Sequence, residues 1–69
     1  MKNQFGKRLR ELRLEKSLLQ KDVAKILERQ TAAISKWEQG IREPSLDDLI
    51  KLSEFFDCSV DYLIGKVDY

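Results

Sequence analysis

The chain has no histidine, one cysteine and no long apolar run among its 69 residues. Histidine is the commonest metal ligand and acid–base catalyst at neutral pH, so its absence argues against both kinds of site. The lone Cys58 cannot form an internal disulfide, which favours a reducing compartment, the cytoplasm. No segment approaches the roughly 18 apolar residues of a membrane span, and no signal peptide opens the chain. A secreted or membrane-embedded protein is therefore not expected.

Glycine is also scarce, with three residues and no glycine-rich phosphate loop. We therefore predict no catalytic residues, no metal and no cofactor, and a protein that is not an enzyme. What the chain does have is 42% apolar residues, enough for a packed core. Its length suffices for one small domain, 1–69, with a core at about 5–65.

Charge is unevenly distributed along the chain, although the net value is only +1. Residues 1–42 contain eleven Lys and Arg against five acidic residues, a net charge of +6. Residues 43–69 contain two Lys against seven acidic residues, a net charge of −5. Solvated helix faces can differ in sign without any function, but this asymmetry also gives the molecule one preferred face for phosphate. Because the motif described below lies in the basic part, we favour the phosphate-binding interpretation.

Apolar spacing predicts five helices and no strands, an all-α fold. The expected helices run from about Asn3 to Lys16, Leu19 to Leu27, Gln30 to Gln39, from Ser45 onward, and from Val60 to Ile64. Ser45 and Asp48 have the spacing of a capping box, and Gly40 and Gly65 are expected to end the third and fifth helices. The expected apolar face of the fourth helix consists of Leu46, Leu49, Ile50, Leu52 and Phe56.

Residues 20–39 have the pattern of two short helices joined by a tight turn. Val23 and Leu27 lie on one face of the first helix, and Ile34 and Trp37 lie on one face of the second. Ala24 supplies a small side chain where the two helices must touch. The second helix keeps an outer face of polar and small residues: Gln30, Thr31, Ala32, Ser35, Lys36 and Gln39. This is the pattern of a helix-turn-helix, whose second helix lies in the major groove of DNA.

Four segments, in this order and spacing, resemble the phage repressor and Cro type of helix-turn-helix domain, the xenobiotic-response-element family of bacterial transcriptional regulators. The segments are Leu18–Gln20 with Val23–Ala24, Ile34–Gly40, Pro44–Leu46 and Ser59–Gly65. The resemblance implies a five-helix, lambda-repressor-like DNA-binding domain. It also implies a homodimer that binds double-stranded DNA at operators of approximate two-fold symmetry, in the cytoplasm and on the nucleoid of a bacterium or its phage.

The resemblance further implies a role for each matching position. The implied base contacts are Gln30, Thr31, Ala32 and Lys36, and the implied backbone contacts are Gln20, Lys21, Gln39, Gly40, Ile41 and Arg42. Arg13 and Glu38 are implied to form a structural ion pair. The tail exposes more apolar groups than one short helix can hide, so we expect the dimer interface there. Its residues are Tyr62, Ile64, Val67 and Tyr69.

Several positions around the turn depart from the family's pattern. Glu28 replaces a common Gly, so a left-handed turn residue here would carry about 1 kcal/mol of backbone strain. Arg29 replaces an aliphatic residue and is expected to bury its stem and place its head in water. Leu19 stands where Ser or Thr usually caps the helix, and Ser17 is expected to supply a capping box two residues earlier.

These observations predict a sequence-specific transcriptional regulator, a repressor that acts by occupying a promoter. The alternative is a protein-interaction module, an antitoxin or anti-repressor that uses the same fold to bind a protein partner. RNA binding is disfavoured because only Tyr62 and Tyr69 offer aromatic surfaces on which bases could stack.

Overall fold

The computed structural model describes residues 4–69, which form five α-helices and no strand. The helices are α1 (Phe5–Glu15), α2 (Gln20–Ile26), α3 (Thr31–Gln39), α4 (Leu46–Phe56) and α5 (Val60–Ile64). The predicted all-α, five-helix fold is confirmed. The expected helix start at Asn3 lies outside the described residues. None of these five helices is long and apolar enough to span a membrane.

Two helices end where the sequence supplies glycine, and α4 begins at a capping box. The Ser45 hydroxyl accepts a hydrogen bond from the Asp48 N–H (3.1 Å), and the Asp48 carboxylate accepts one from the Ser45 N–H (2.9 Å). These reciprocal bonds satisfy N–H groups that have no partner within the helix. Gly40 and Gly65, with φ of 78° and 83°, end α3 and α5 in the left-handed conformation.

The predicted cap of α2 is wrong. Leu19 directly precedes α2, and its backbone N–H donates to the Asp22 carboxylate at 2.8 Å. Ser17 lies instead in the turn that follows α1, with a φ of 56°, and its N–H donates to the Leu14 carbonyl. An acidic side chain in the first turn of α2 therefore accepts a hydrogen bond from the residue before the helix, and no hydroxyl caps the N–H groups of that turn.

Buried apolar residues from all five helices, together with Leu27 directly after α2, form the core. They are Phe5, Leu9, Val23, Ala24, Leu27, Ile34, Trp37, Leu52, Phe56 and Leu63. The predicted apolar face of α4 is partly wrong, because Leu46 is 70% exposed and Ile50 is 43% exposed. Leu46 is the first residue of α4, and Ile50 lies about 100° around the helix from the partly buried Leu49.

The first helix packs closely on the end of α3 because residue 6 is glycine. A Cβ atom at this position would lie 2.6 Å from the Trp37 carbonyl oxygen and 2.8 Å from that of Glu38. The neighbouring Phe5 ring makes an edge-to-face contact with the Trp37 ring, with centroids 6.1 Å apart. This contact holds α1 against the helix that carries the expected base contacts.

Candidate nucleic-acid interface

The turn between α2 and α3 has Glu28 at its centre, in the left-handed region with a φ of 55°. The N–H of the next residue, Arg29, donates to the Ala24 carbonyl at 2.8 Å and closes the turn onto α2. Ala24 itself is buried in the core. The turn therefore forms without glycine, and Glu28 carries the backbone strain.

Helix α3 has one buried face and one exposed face. Ile34 and Trp37 are buried, whereas the expected base-contacting residues are exposed: Gln30, Thr31, Ala32 and Lys36. Gln39 is also exposed, and its amide donates to the Ser35 hydroxyl at 2.8 Å. The exposed face thus offers amide, hydroxyl, methyl and ammonium groups, which are the groups that recognise base edges in the major groove.

An ion pair between Arg13 and Glu38 joins α1 to the end of α3. Arg13 Nε donates to Glu38 Oε2 at 2.8 Å, and Nη2 donates to Oε1 at 3.1 Å. The hydrogen bond to Glu38 raises the pKa of Arg13, although burial opposes the shift. Gln20, at the start of α2, donates to Glu38 Oε1 at 3.2 Å. Glu38 therefore connects three helices, and both side chains of the ion pair are less than 10% exposed.

The Arg29 head was expected to lie in water, but it binds Asp48, although its side chain remains 45% exposed. Its Nε donates to Asp48 Oδ1 at 3.0 Å and its Nη2 to Asp48 Oδ2 at 2.9 Å. The Arg29 guanidinium carbon also lies 5.9 Å from the centroid of the Trp37 ring. The Asp48 carboxylate is buried, and a buried carboxylate without a cationic partner is unfavourable. The two parallel hydrogen bonds from the planar guanidinium supply that partner.

Opposing effects act on the pKa of Asp48. Burial raises it, but the backbone N–H of Ser45, the Arg29 guanidinium and the Ser45 hydroxyl donate hydrogen bonds to the carboxylate. Together with the positive charge of Arg29, these bonds hold the pKa below its ordinary value. Apolar periodicity does not reveal a pair of charged residues 19 positions apart in the sequence. The signal that could have revealed it is the arginine at a position where the family has an aliphatic residue. A charged side chain at such a position needs a hydrogen-bond acceptor close to the core.

The segment after α3 turns back beside the exposed face of the helix. The N–H groups of Gly40 and Ile41 donate to the carbonyls of Trp37 and Lys36, at 3.1 and 2.9 Å, and close the end of α3. The Arg42 side chain is exposed, as is Lys21 on α2. Lys21 therefore lies on the helix that precedes α3, and Arg42 lies in the segment that follows it.

An open cleft of about 340 Å³ lies beside α3. Residues of the turn, of α3 and of the following segment line it: Glu28, Arg29, Gln30, Ala32, Ala33, Lys36 and Arg42. Three of these side chains are cationic and one is acidic. Asp48 pairs with Arg29, so the net charge of the cleft and this partner is +1, which favours an anion over an apolar ligand.

The residues expected at the dimer interface differ in exposure. Tyr69 is 88% exposed, whereas Tyr62, Ile64 and Val67 are half-buried. Arg8 of α1 accounts for part of this burial, because its guanidinium carbon lies 4.1 Å from the centroid of the Tyr62 ring. Arg8 Nη1 also donates to the carbonyls of Tyr62 (3.2 Å) and Val67 (3.3 Å). These contacts from Arg8 hold the tail against α1. The sequence pattern did not indicate them.

No group of acidic or cysteine side chains within residues 4–69 could hold a metal ion. Cys58 is half-buried, and burial, together with the negative charge of Asp57, raises the pKa of its thiol. A raised pKa disfavours the reactive thiolate form at neutral pH.

The sequence profile of the helix-turn-helix family matches residues 9–63. Over 62 residues, the chain is 41% identical to the HTH-type transcriptional regulator ImmR of Bacillus subtilis (strain 168). That alignment covers 90% of this chain and 49% of ImmR, so the chain spans about half the length of this curated relative.

Two solved structures are also similar to this one. A transcriptional regulator from Listeria innocua superposes with a TM-score of 0.91 and 31% identity, over 97% of this chain and 63% of that chain. The P22 c2 repressor protein in complex with the synthetic operator 9T gives a TM-score of 0.82 and 35% identity, over 87% of this chain and 91% of that chain.

Proposed function

The chain belongs to the helix-turn-helix family, and we propose that it binds double-stranded DNA sequence-specifically and represses transcription by occupying an operator. The observation that carries this proposal is the two-sided character of α3. Its inner face is buried, its outer face is exposed and polar, and the cationic side chains of Arg29, Lys36 and Arg42 line one cleft beside it. A helix held in this way by its neighbours can enter the major groove without losing its packing. A similar domain in the P22 c2 repressor was solved on a synthetic operator.

Each exposed residue of α3 has a role in the proposal. Lys36 would donate to guanine O6 and N7, and Ala32 and the Thr31 methyl would pack on thymine methyl groups, with Gln30 at the start of the helix. Contacts to the sugar-phosphate backbone would fix the register. These contacts are assigned to the side chains of Gln20, Lys21, Gln39 and Arg42, because the N–H groups of Gly40 and Ile41 already donate to carbonyls of α3.

A two-fold symmetric operator and a homodimer are also part of the proposal. One recognition helix buries little surface, and specific sites are usually read by two. Such a regulator would act on chromosomal or phage DNA in the bacterial cytoplasm.

The test is selection of binding sites from a random duplex DNA pool by the purified chain at near-physiological salt. We expect a motif with two-fold symmetry, because two copies would read inverted half-sites. Recovery of no motif, from protein shown by circular dichroism to be folded, would contradict sequence-specific binding. The function would then be that of a protein-interaction module, for which the exposed apolar side chains Leu46 and Ile50 on α4 offer a surface.

A further inference from the structure

The cleft beside α3 brings together three cations from three parts of the chain. Arg29 comes from the turn before α3, Lys36 from α3 itself and Arg42 from the segment after it. The resemblance to the family gives Lys36 and Arg42 a role on DNA but gives none to Arg29. The position of Arg29 on the same cleft therefore needs its own explanation.

The guanidinium of Arg29 is held in place but not enclosed. Two of its five N–H donors bind the two oxygens of Asp48, whose side chain is 5% exposed. The Arg29 side chain is 45% exposed, so donors remain for an acceptor outside the chain. Because a bidentate pair fixes the plane of the guanidinium, the remaining donors keep a constant direction.

We infer that Arg29 donates to a phosphate oxygen of bound DNA at the rim of this cleft, and that Asp48 is the residue that positions it. The inference rests on the proposed function. Phosphate is favoured over a base edge because Asp48 on α4 tethers the guanidinium, which restricts how far it can reach into the groove. Base edges remain accessible to the residues of α3, whose side chains carry no such tether to α4.

The decisive variant replaces both charges at once, Arg29→Gln with Asp48→Asn. The net charge is unchanged and no unpaired buried carboxylate is left, so long-range electrostatics and folding are disturbed as little as possible. Each phosphate contact contributes about 0.9 to the slope of log K against log salt concentration. We expect the magnitude of the slope on duplex DNA to fall by about 0.9 per bound protomer. The matched control is Lys51→Gln with Glu54→Gln, a charge-neutral change of two exposed residues on α4, which should leave the slope unchanged.

The single variant Asp48→Asn tests positioning through the sign of its effect. Removing a carboxylate near DNA strengthens binding if the carboxylate acts only through its charge. If Asp48 positions Arg29, the same variant weakens binding, although it makes the protein more positive. Circular dichroism at the binding temperature establishes that the variant is folded before its affinity is compared.

Several outcomes would overturn the inference. An unchanged slope in the double variant would remove Arg29 from the phosphate contacts, and tighter binding by Asp48→Asn would remove its positioning role. A changed base preference at one half-site position would assign Arg29 to base recognition instead. If the wild-type chain binds no duplex DNA, both the proposed function and this inference are overturned. The titration of the wild-type chain separates that outcome from failure of the inference alone, which only the variants can show.

Discussion

Lys36 is the residue of α3 whose charge and reach suit it best to base recognition. It is exposed on the outer face, and it lines the cleft beside the helix. We expect Lys36→Ala to weaken operator binding by about 1–3 kcal/mol and to relax base preference at one position per half-site. Titration of the selected operator and its single-base variants measures both effects, with Lys51→Ala on the exposed side of α4 as the control. Unchanged affinity and preference would remove Lys36 from base recognition.

Glu28 has a left-handed backbone conformation that favours glycine, with a φ of 55°. We expect Glu28→Gly to raise the free energy of unfolding by about 1 kcal/mol, because glycine has no Cβ to clash with the carbonyl in this region. For a domain of this size, that change raises the melting temperature by about 4–8 °C. Thermal denaturation followed by circular dichroism measures it. Glu28→Ala removes the same charge but keeps Cβ, so an equal gain from that variant would show that charge, not strain, is the cause.

The depressed pKa of Asp48 makes part of the stability depend on pH. The folded-state pKa lies below the unfolded value of about 3.9, so the stabilisation is complete above that value and is lost as pH falls through the folded-state pKa. We expect Asp48→Asn to lower the free energy of unfolding by about 1–3 kcal/mol at neutral pH, through weaker charge-assisted hydrogen bonds. Urea denaturation at several pH values should show this difference shrinking below about pH 4. Asp47→Asn on the same helix turn, where the side chain is exposed, serves as the control.

Some residue contacts were predictable from the sequence and others were not. The Arg13–Glu38 contact followed from a family resemblance, and the Ser45–Asp48 cap followed from local spacing. Arg29, in the turn before α3, was expected to end in water, because its partner Asp48 lies 19 residues away on α4. Local pattern carries no information on such a pair, since the contact exists only once the turn between α2 and α3 lies beside the start of α4.

At the scale of the elements, the helix ends marked by glycine or by a serine cap were predicted, because they depend on neighbouring residues, whereas the cap of α2 was not. Glycine at positions 40 and 65 and serine at 45 each act on the helix next to them. Helix faces were predicted less well, as the exposed Leu46 and Ile50 show. An apolar residue on a helix indicates a possible inner face, but which residue turns inward depends on where the neighbouring helices lie.

The contact between α1 and α3 depends on the small size of Gly6. A Cβ atom there would lie 2.6 Å from a backbone oxygen of α3, and a backbone cannot move aside as a flexible side chain can. We expect Gly6→Ala to lower the free energy of unfolding by about 1–3 kcal/mol through overpacking, although alanine favours helix by about 1 kcal/mol. Urea denaturation measures the change, and Lys7→Ala, at an exposed position in the same turn, is the control. A stabilised Gly6→Ala variant would show that α1 and α3 can move apart without lowering the free energy of unfolding.

At the scale of the whole molecule, charge asymmetry and size bear on how two copies would bind. Residues 1–42 carry a net charge of +6 and residues 43–69 a net charge of −5, which favours the proposed approach of phosphate to the part of each copy that contains α3. The Cα atoms extend over 27 × 23 × 20 Å, whereas half-sites one helical turn apart place two copies about 34–36 Å from centre to centre. Two copies at that spacing can touch only along their edges, so the contact between them is small.

A small contact predicts a chain that is monomeric in solution and dimeric on DNA. We expect sedimentation to show one copy free and two copies on a duplex with two half-sites, with cooperativity lost when half a helical turn is inserted between them. Tyr69→Ala tests the proposed tail interface, because the side chain is 88% exposed and contributes little to the fold. We expect this variant to lose cooperativity while its melting temperature stays unchanged. If Tyr69→Ala retains cooperativity, Tyr69 is not part of the interface. If a single copy of the wild-type chain binds DNA with two half-sites, the dimer is excluded.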